Sequence, residues 1–198
     1  MLRVGLTGGI GSGKSAASNI LAEQGAFVFD SDAEAKQILE TNKEAQQELI
    51  AEFSTDIMGA DGAIDRKKLA RIGLQDEDHQ LRLNTIVHPY VFNRIDKTFE
   101  QISQSKKYSL FIVDGALIYE SGYDQHLDYV IVVTALYRHR LERALQRGNL
   151  TRDEILKRMD LQWSEEEKLR MADFVIHNDG NLEELIEKVD LFYRQLKL

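Results

Sequence analysis

Gly8 to Ser15 reads GGIGSGKS, and four of these eight residues are glycine. The run fits G-x-x-x-x-G-K-[ST], with Gly8, Gly13, Lys14 and Ser15 at the fixed places. Glycine admits positive φ and removes the Cβ that would keep backbone N–H groups away from a ligand. N–H groups curled in this way cradle a phosphate, and a helix starting at the loop's end points its positive dipole at the same charge. Lys14 adds a mobile cation for the β- and γ-phosphates, and the Ser15 hydroxyl suits Mg²⁺. The cradle therefore comprises Gly8, Gly9, Gly11, Ser12, Gly13, Lys14 and Ser15. Gly9, Gly11 and Gly13 are spaced by two throughout, which is not G-x-G-x-x-G, so a nicotinamide dinucleotide site is disfavoured.

Other groups add to this chemistry. Asp30-Ser31-Asp32 follows a short apolar run, and a cap for the next helix needs only one of these residues. That leaves Asp32 as the candidate base for an acceptor hydroxyl. Asp114 ends the run SLFIV, the usual place after a phosphate loop for a carboxylate that helps hold Mg²⁺. Arg138, Arg140, Arg143, Arg147, Arg152 and Arg158 fall within 21 residues. Arg140, Arg143 and Arg147, spaced three and four apart, share one face of a helix. They could be a solvated face neutralised by Glu142, Asp153 and Glu154, or a lid that lowers guanidinium groups onto a transferring phosphoryl group. Asn178, in the turn Asn178-Asp179-Gly180, could touch a nucleotide base.

The elements that must hold these groups are legible. Leu2 to Thr7, Ala26 to Phe29, Ser109 to Val113, Tyr129 to Val133 and Phe174 to Ile176 are short apolar runs that predict five strands. Strand, glycine loop, helix over Gly13 to Gln24 and strand make a βαβ crossover, hence parallel strands. The fold class is α/β, with a three-layer core around a five-stranded parallel sheet and ligands beyond the strands' carboxyl ends. Between the second and third strands, helices are expected over Ala33 to Glu40, Lys43 to Phe53, Arg66 to Leu74 and Asp76 to Gln104. Pro89, the only proline, is expected to break or kink the last of these. His88 beside it reads more readily as a packing residue than a catalyst. After the fourth strand, Gly148-Asn149 interrupts a helical stretch, and Thr151 with Glu154 predicts a capping box. Leu182 to Leu198 is an amphipathic closing helix with Leu185, Val189, Phe192 and Leu196 on one face. The chain divides into a core at about 1–32, 108–134 and 172–198, an insertion at about 33–107 and a lid at about 138–165, all within one single chain of 198 residues.

Composition excludes several classes. There is no cysteine, hence no disulfide frame and no thiolate zinc site. A net charge of -8 argues against broad nucleic-acid or anionic-membrane binding. No apolar run approaches a bilayer span, and Gly8-Gly9 ends the first one too early for a signal peptide. A cytoplasmic monomer or weak oligomer acting on a small molecule is expected. The parts suit phosphoryl transfer from ATP with Mg²⁺, and a lid that excludes water favours an acceptor substrate over hydrolysis. A guanine-reading Asn-Lys-x-Asp is missing, since Asn42-Lys43 is followed by Glu44-Ala45. Spacing alone reaches a small-molecule kinase and leaves the acceptor open.

A resemblance goes further. VGLTGGIGSGKS from Val4 to Ser15, the pair Asp30 and Asp32, and ADG-x-IDR-x-x-L from Ala60 to Leu69 resemble dephospho-coenzyme A kinases. So do His88-Pro89, Leu117 to Glu120, Gln162 with Glu166-Glu167-Lys168, and Ala172-Asp173 through Gly180. The resemblance runs along nearly the whole chain. It implies ATP-dependent phosphorylation of the ribose 3′-hydroxyl of dephospho-coenzyme A, the last step of coenzyme A synthesis. It also implies an adenylate-kinase-like P-loop core, a helical coenzyme-binding insertion and a lid. By that likeness Gly11 to Ala16 cradle ATP, Asp32 is the base, and Arg66, His88, Leu117 and Gln162 meet the acceptor. The chain departs from the usual pattern at Ala16, Ala116, Trp163, Ser164 and His177.

Overall fold

A computed structural model of the protein describes residues 1–196. In chain order the elements are β1 (Leu2–Thr7), α1 (Lys14–Glu23), β2 (Phe27–Asp30), α2 (Ser31–Thr41), α3 (Lys43–Phe53), α4 (Arg66–Gly73), α5 (Glu77–Ser105), β3 (Leu110–Asp114), β4 (Tyr129–Thr134), α6 (Tyr137–Gln146), α7 (Arg152–Asp160), α8 (Glu165–Met171), β5 (Phe174–His177) and α9 (Leu182–Gln195). The last residues of the expected closing helix, Lys197 and Leu198, lie outside the described residues. The chain forms two units, Met1–Asp30 with Thr98–Leu198, and Ser31–Lys97.

The first unit carries the sheet. Its strands are all parallel in the order β2-β3-β1-β4-β5. Parallel strands covered by helices on both faces are buried on both faces, so they read as unbroken apolar runs rather than alternations. LFIVD of β3 is buried at every position. One face packs Val4, Leu6, Leu110, Ile112, Ile131, Val133 and Ile176 against Ile20 and Leu21 of α1 and Leu185, Val189 and Phe192 of α9. Each such side chain fully removed from water is worth about 1.5–3 kcal/mol. On the other face Phe111 stacks on Phe27 at 5.2 Å and meets Phe99 edge-on at 5.3 Å. The register pairs Leu6 with Asp114, Asp30 with Asp114 and Thr134 with His177, so the carboxyl ends of the strands lie along one edge.

The second unit is helical. Ile38, Ala45, Leu49, Phe53, Ile57, Leu69, Val87, Val91 and Ile95 are its buried side chains. Asn42 caps α3 by accepting from the Ala45 N–H, and Asp65 caps α4 by accepting from Lys67 and Lys68. Those backbone donors hold the Asp65 carboxyl below its ordinary value. The turn at Gly59 to Gly62 forms, closed by Gly62 N–H to Gly59 O at 3.2 Å. Of the expectation that Pro89 breaks or kinks its helix, the break is corrected: α5 runs unbroken through it. An interior proline forfeits one backbone hydrogen bond and costs about 3 kcal/mol, and burial of Val87, Val91 and Ile95 on the same helix offsets that cost. The strand ends also shift by about one residue; β2 and β3 extend to include Asp30 and Asp114. No helix among the described residues is long and apolar enough to cross a membrane.

Candidate nucleotide-binding site

β1 delivers the chain to the carboxyl edge of the sheet, and the glycine run turns it into α1. Gly11 has φ 79° and Gly13 φ 97°, conformations that L side chains rarely adopt. A Cβ on Gly11 would strike the Arg140 backbone, and one on Gly13 would strike the Asn178 amide. Gly13 is the N-cap of α1 and supplies no side-chain cap. The first N–H groups of α1 therefore lack the side-chain acceptor that closes α3, α4, α7 and α9. Ser12 Oγ is buried there without a hydrogen-bond partner. Uncapped donors, an unsatisfied hydroxyl and a cradle that a Cβ would fill fit a polyphosphate.

The charged groups converge on this loop. Lys14 Nζ is ion-paired with Asp114, which is buried at the end of β3. Ser15 is exposed in the first turn of α1. The exposed Ser15 hydroxyl and the Asp114 carboxylate are hard oxygen donors of the kind Mg²⁺ takes. Asn178 is buried, and its amide donates to Ser12 O at 2.8 Å, so β5 braces the loop from the side of β4. Arg140 is buried as well. It donates from Nε to Ile10 O at 3.2 Å and is ion-paired with Glu165. Gln162 Oε1 accepts from the Ile10 N–H at 3.2 Å. Ile10 is thus held at both its backbone polar groups, its N–H by the stretch joining α7 to α8 and its carbonyl by α6.

The three arginines on α6 are not equivalent. Arg140 is committed to the loop, Arg143 is half-buried with Nη1 lacking a hydrogen-bond partner, and Arg147 is exposed at the C-cap. The reading of a face neutralised by Glu142, Asp153 and Glu154 is corrected for Arg140, whose carboxylate partner is Glu165. The capping box of Thr151 and Glu154 forms. Leu117 is half-buried just beyond β3. Asp32, Arg66 and His88 belong to the second unit. Asp32 is half-buried in the first turn of α2, two residues past the end of β2. Arg66 pairs with Glu40 at 2.9 Å on the surface. His88 stacks on Phe92 at 5.8 Å, and burial pushes its imidazole down to about 4, so it is neutral at pH 7. In the same unit a cavity of about 560 Å³ is lined by Glu34, Ile38, Lys43, Tyr90, Arg94 and Lys97 among others.

A sequence profile described as dephospho-CoA kinase matches residues 2–184. The chain belongs to the dephospho-CoA kinase family. Among its relatives, the dephospho-CoA kinase of Fusobacterium nucleatum is 40% identical over 96% of this chain and 95% of that one. The dephospho-CoA kinase of Thermobifida fusca is 37% identical over 100% and 97%. In solved structures, TT1252 from Thermus thermophilus aligns with TM-score 0.83 and 31% identity over 100% of this chain and 97% of that one. A dephospho-CoA kinase from Campylobacter jejuni aligns with TM-score 0.69 and 27% identity over 98% and 96%. A shikimate kinase from Acinetobacter baumannii, at TM-score 0.57 and 18% identity over 100% of this chain and 96% of that one, shares the fold. In this member of the dephospho-CoA kinase family, Glu120 and Lys168, which the sequence marks only by family likeness, form a pair that no spacing announces. Lys168 is fully buried, paired with Glu120 Oε1 at 2.9 Å and donating to Ala116 O at 3.1 Å. The same Glu120 oxygen accepts the Trp163 N–H at 2.9 Å. Glu165 and Glu120 lie 25 and 48 residues from Arg140 and Lys168, beyond any local spacing signal.

Proposed function

We propose that the chain transfers the γ-phosphoryl group of ATP to the ribose 3′-hydroxyl of dephospho-coenzyme A, giving coenzyme A and ADP. The observation that carries this reading is the uncapped amino end of α1 behind a glycine cradle, in a chain that belongs to this family. Gly8, Gly9, Gly11, Ser12, Gly13 and Ala16 bind the phosphates through backbone N–H groups. Lys14 leaves Asp114 for the β- and γ-phosphates, which frees the carboxylate. Ser15 and Asp114 would hold Mg²⁺, which when bound neutralises charge between the β- and γ-phosphates. Asn178 braces the edge that receives the adenine of ATP. Asp32 takes the proton from the 3′-hydroxyl as its oxygen attacks the γ-phosphorus and the bond to the bridging oxygen of ADP breaks. Arg143 and Arg147, and Arg140 on leaving Glu165, supply cations to the equatorial oxygens. Arg66, His88, Leu117 and Gln162 are acceptor contacts by the family likeness, and the helical insertion at about 33–107 receives the coenzyme. The cavity there carries three cations, Lys43, Arg94 and Lys97, and two carboxylates, Glu34 and Glu44, with Arg94 paired to Glu34 at 2.8 Å, so Lys43 and Lys97 are the cations it offers a phosphorylated ligand. The lid at about 138–165 excludes water, and the protein works in the cytoplasm on a small molecule as a monomer or weak oligomer.

The test is direct. Purified protein with ATP and Mg²⁺ is given dephospho-coenzyme A, adenosine, AMP or shikimate, and ADP release is followed. Coenzyme A carrying a 3′-phosphate, identified by mass spectrometry, is the expected product. Turnover of adenosine or AMP alone would move the chain to nucleoside or nucleotide phosphorylation.

A further inference from the structure

Trp163 is the only tryptophan of the chain, and it is 42% exposed. Isolated exposed aromatics are common, but this one is anchored on three sides. Its ring lies nearly parallel to that of Tyr119, 8° apart with centroids at 5.8 Å. Tyr119 is buried at 4% exposure, so the outer side of the stack belongs to the indole. The Trp163 backbone N–H is held by Glu120, and Glu120 is held by the fully buried Lys168. The preceding residue, Gln162, is tied to the Ile10 N–H of the phosphate loop. A buried ion pair is rarely more stable than apolar residues of the same volume. What the pair adds here is a fixed position for the backbone beneath an exposed indole.

The topology says which ligand such a ring can meet. The loop leaves β1, with β3 and β2 on one side and β4 and β5 on the other. Asn178 follows β5 and braces Ser12, and the proposed reading places the purine of ATP on that side. Tyr119 and Glu120 follow β3, and Gln162 reaches the start of the loop at Ile10, not its end at Gly13. Tyr119 thus sits beyond β3, on the opposite side of β1 from β5, the side that the proposed reading leaves to the acceptor. The acceptor named above contains a second adenine, and an indole face binds a purine by stacking with little demand on hydrogen bonds.

We propose that Trp163, backed by Tyr119 and fixed by the Glu120–Lys168 pair, is the stacking platform for the purine base of the acceptor nucleotide. This rests on the reading of dephospho-coenzyme A as acceptor. The platform sets affinity for the acceptor and leaves the ATP site alone. The test combines the emission of this sole tryptophan with kinetics of Trp163→Ala and Trp163→Phe. Dephospho-coenzyme A should quench the wild-type emission, whereas 4′-phosphopantetheine, which lacks the base, should not. Trp163→Ala should raise KM for dephospho-coenzyme A about tenfold, with KM for ATP within about twofold of wild type, and Trp163→Phe should recover most of the loss. An active wild type whose emission ignores dephospho-coenzyme A, or an alanine variant with unchanged acceptor KM, overturns the platform and leaves the proposed reaction standing. A KM increase confined to ATP overturns it too. If the alanine variant does not fold, the phenylalanine variant and the wild-type emission decide. A wild type that makes no coenzyme A removes both the reaction and this inference.

Discussion

Lys14 and Asp114 are ion-paired, so each is both a functional group and the other's counter-ion. Removing the ammonium deprives the β- and γ-phosphates of their nearest mobile cation and leaves the mostly buried Asp114 facing the incoming polyphosphate. Lys14→Ala should therefore lower kcat/KM at least about 100-fold, the scale for losing one preorganised electrostatic group, as read by coupled ADP release. Asp32→Asn is a different experiment. It preserves shape and removes only proton acceptance, so kcat should fall about 10²- to 10⁴-fold while ATP binding, measured by calorimetry, persists. A near-normal rate in that variant would take the base role away from Asp32. Residue chemistry of this kind was legible because Gly8 to Ser15 and Asp30 to Asp32 are contiguous stretches whose types state their use. The Lys14–Asp114, Arg140–Glu165 and Lys168–Glu120 pairs were not, because their members are 100, 25 and 48 residues apart and only folding brings them together.

Helices and strands were readable where the local pattern and the fold demand the same thing. Strands buried on both faces gave uninterrupted apolar runs, and the Thr151–Glu154 box marked the start of α7. The second box, Ser164 with Glu167, carries the same S-x-x-E signature and went unused in dividing α7 from α8. Pro89 misled because its local penalty is smaller than the burial of its own helix. That helix also carries a pH-sensitive group. His88 is held at about 4 against its ordinary 6.5 by burial, so between these values the unfolded chain takes up a proton that the folded one refuses. Its contribution is complete above pH 6.5 and is lost as pH falls towards 4, up to roughly 3 kcal/mol in all. Urea unfolding of the wild type should weaken over that window more steeply than that of His88→Leu; parallel curves would show that the imidazole is not desolvated. On α8, Lys168→Met leaves Glu120 buried beside an apolar chain and should cost about 3–5 kcal/mol, most of it recovered in Lys168→Met with Glu120→Leu.

At the scale of the molecule, the two units each have buried apolar side chains of their own, and the phosphate loop belongs wholly to the one that holds the sheet. A net charge of -8 keeps nucleotide binding local, since nothing in the overall balance attracts a polyanion and the attraction must come from α1 and Lys14. Binding must then stabilise the fold through linkage. A ligand at 100 times its Kd that binds only the native state adds about 2.7 kcal/mol. For a chain of this size each kcal/mol moves Tm by about 2–4 °C, so saturating ATP should raise Tm by roughly 5–10 °C. If calorimetry resolves two transitions, the one belonging to Met1–Asp30 with Thr98–Leu198 should move. Gly13→Ala supplies the control. Alanine at φ 97° is strained and its Cβ would strike the Asn178 amide, so the variant should melt lower without ligand and gain little from ATP. An equal ATP shift in Gly13→Ala and wild type would mean that the triphosphate is held somewhere other than the amino end of α1.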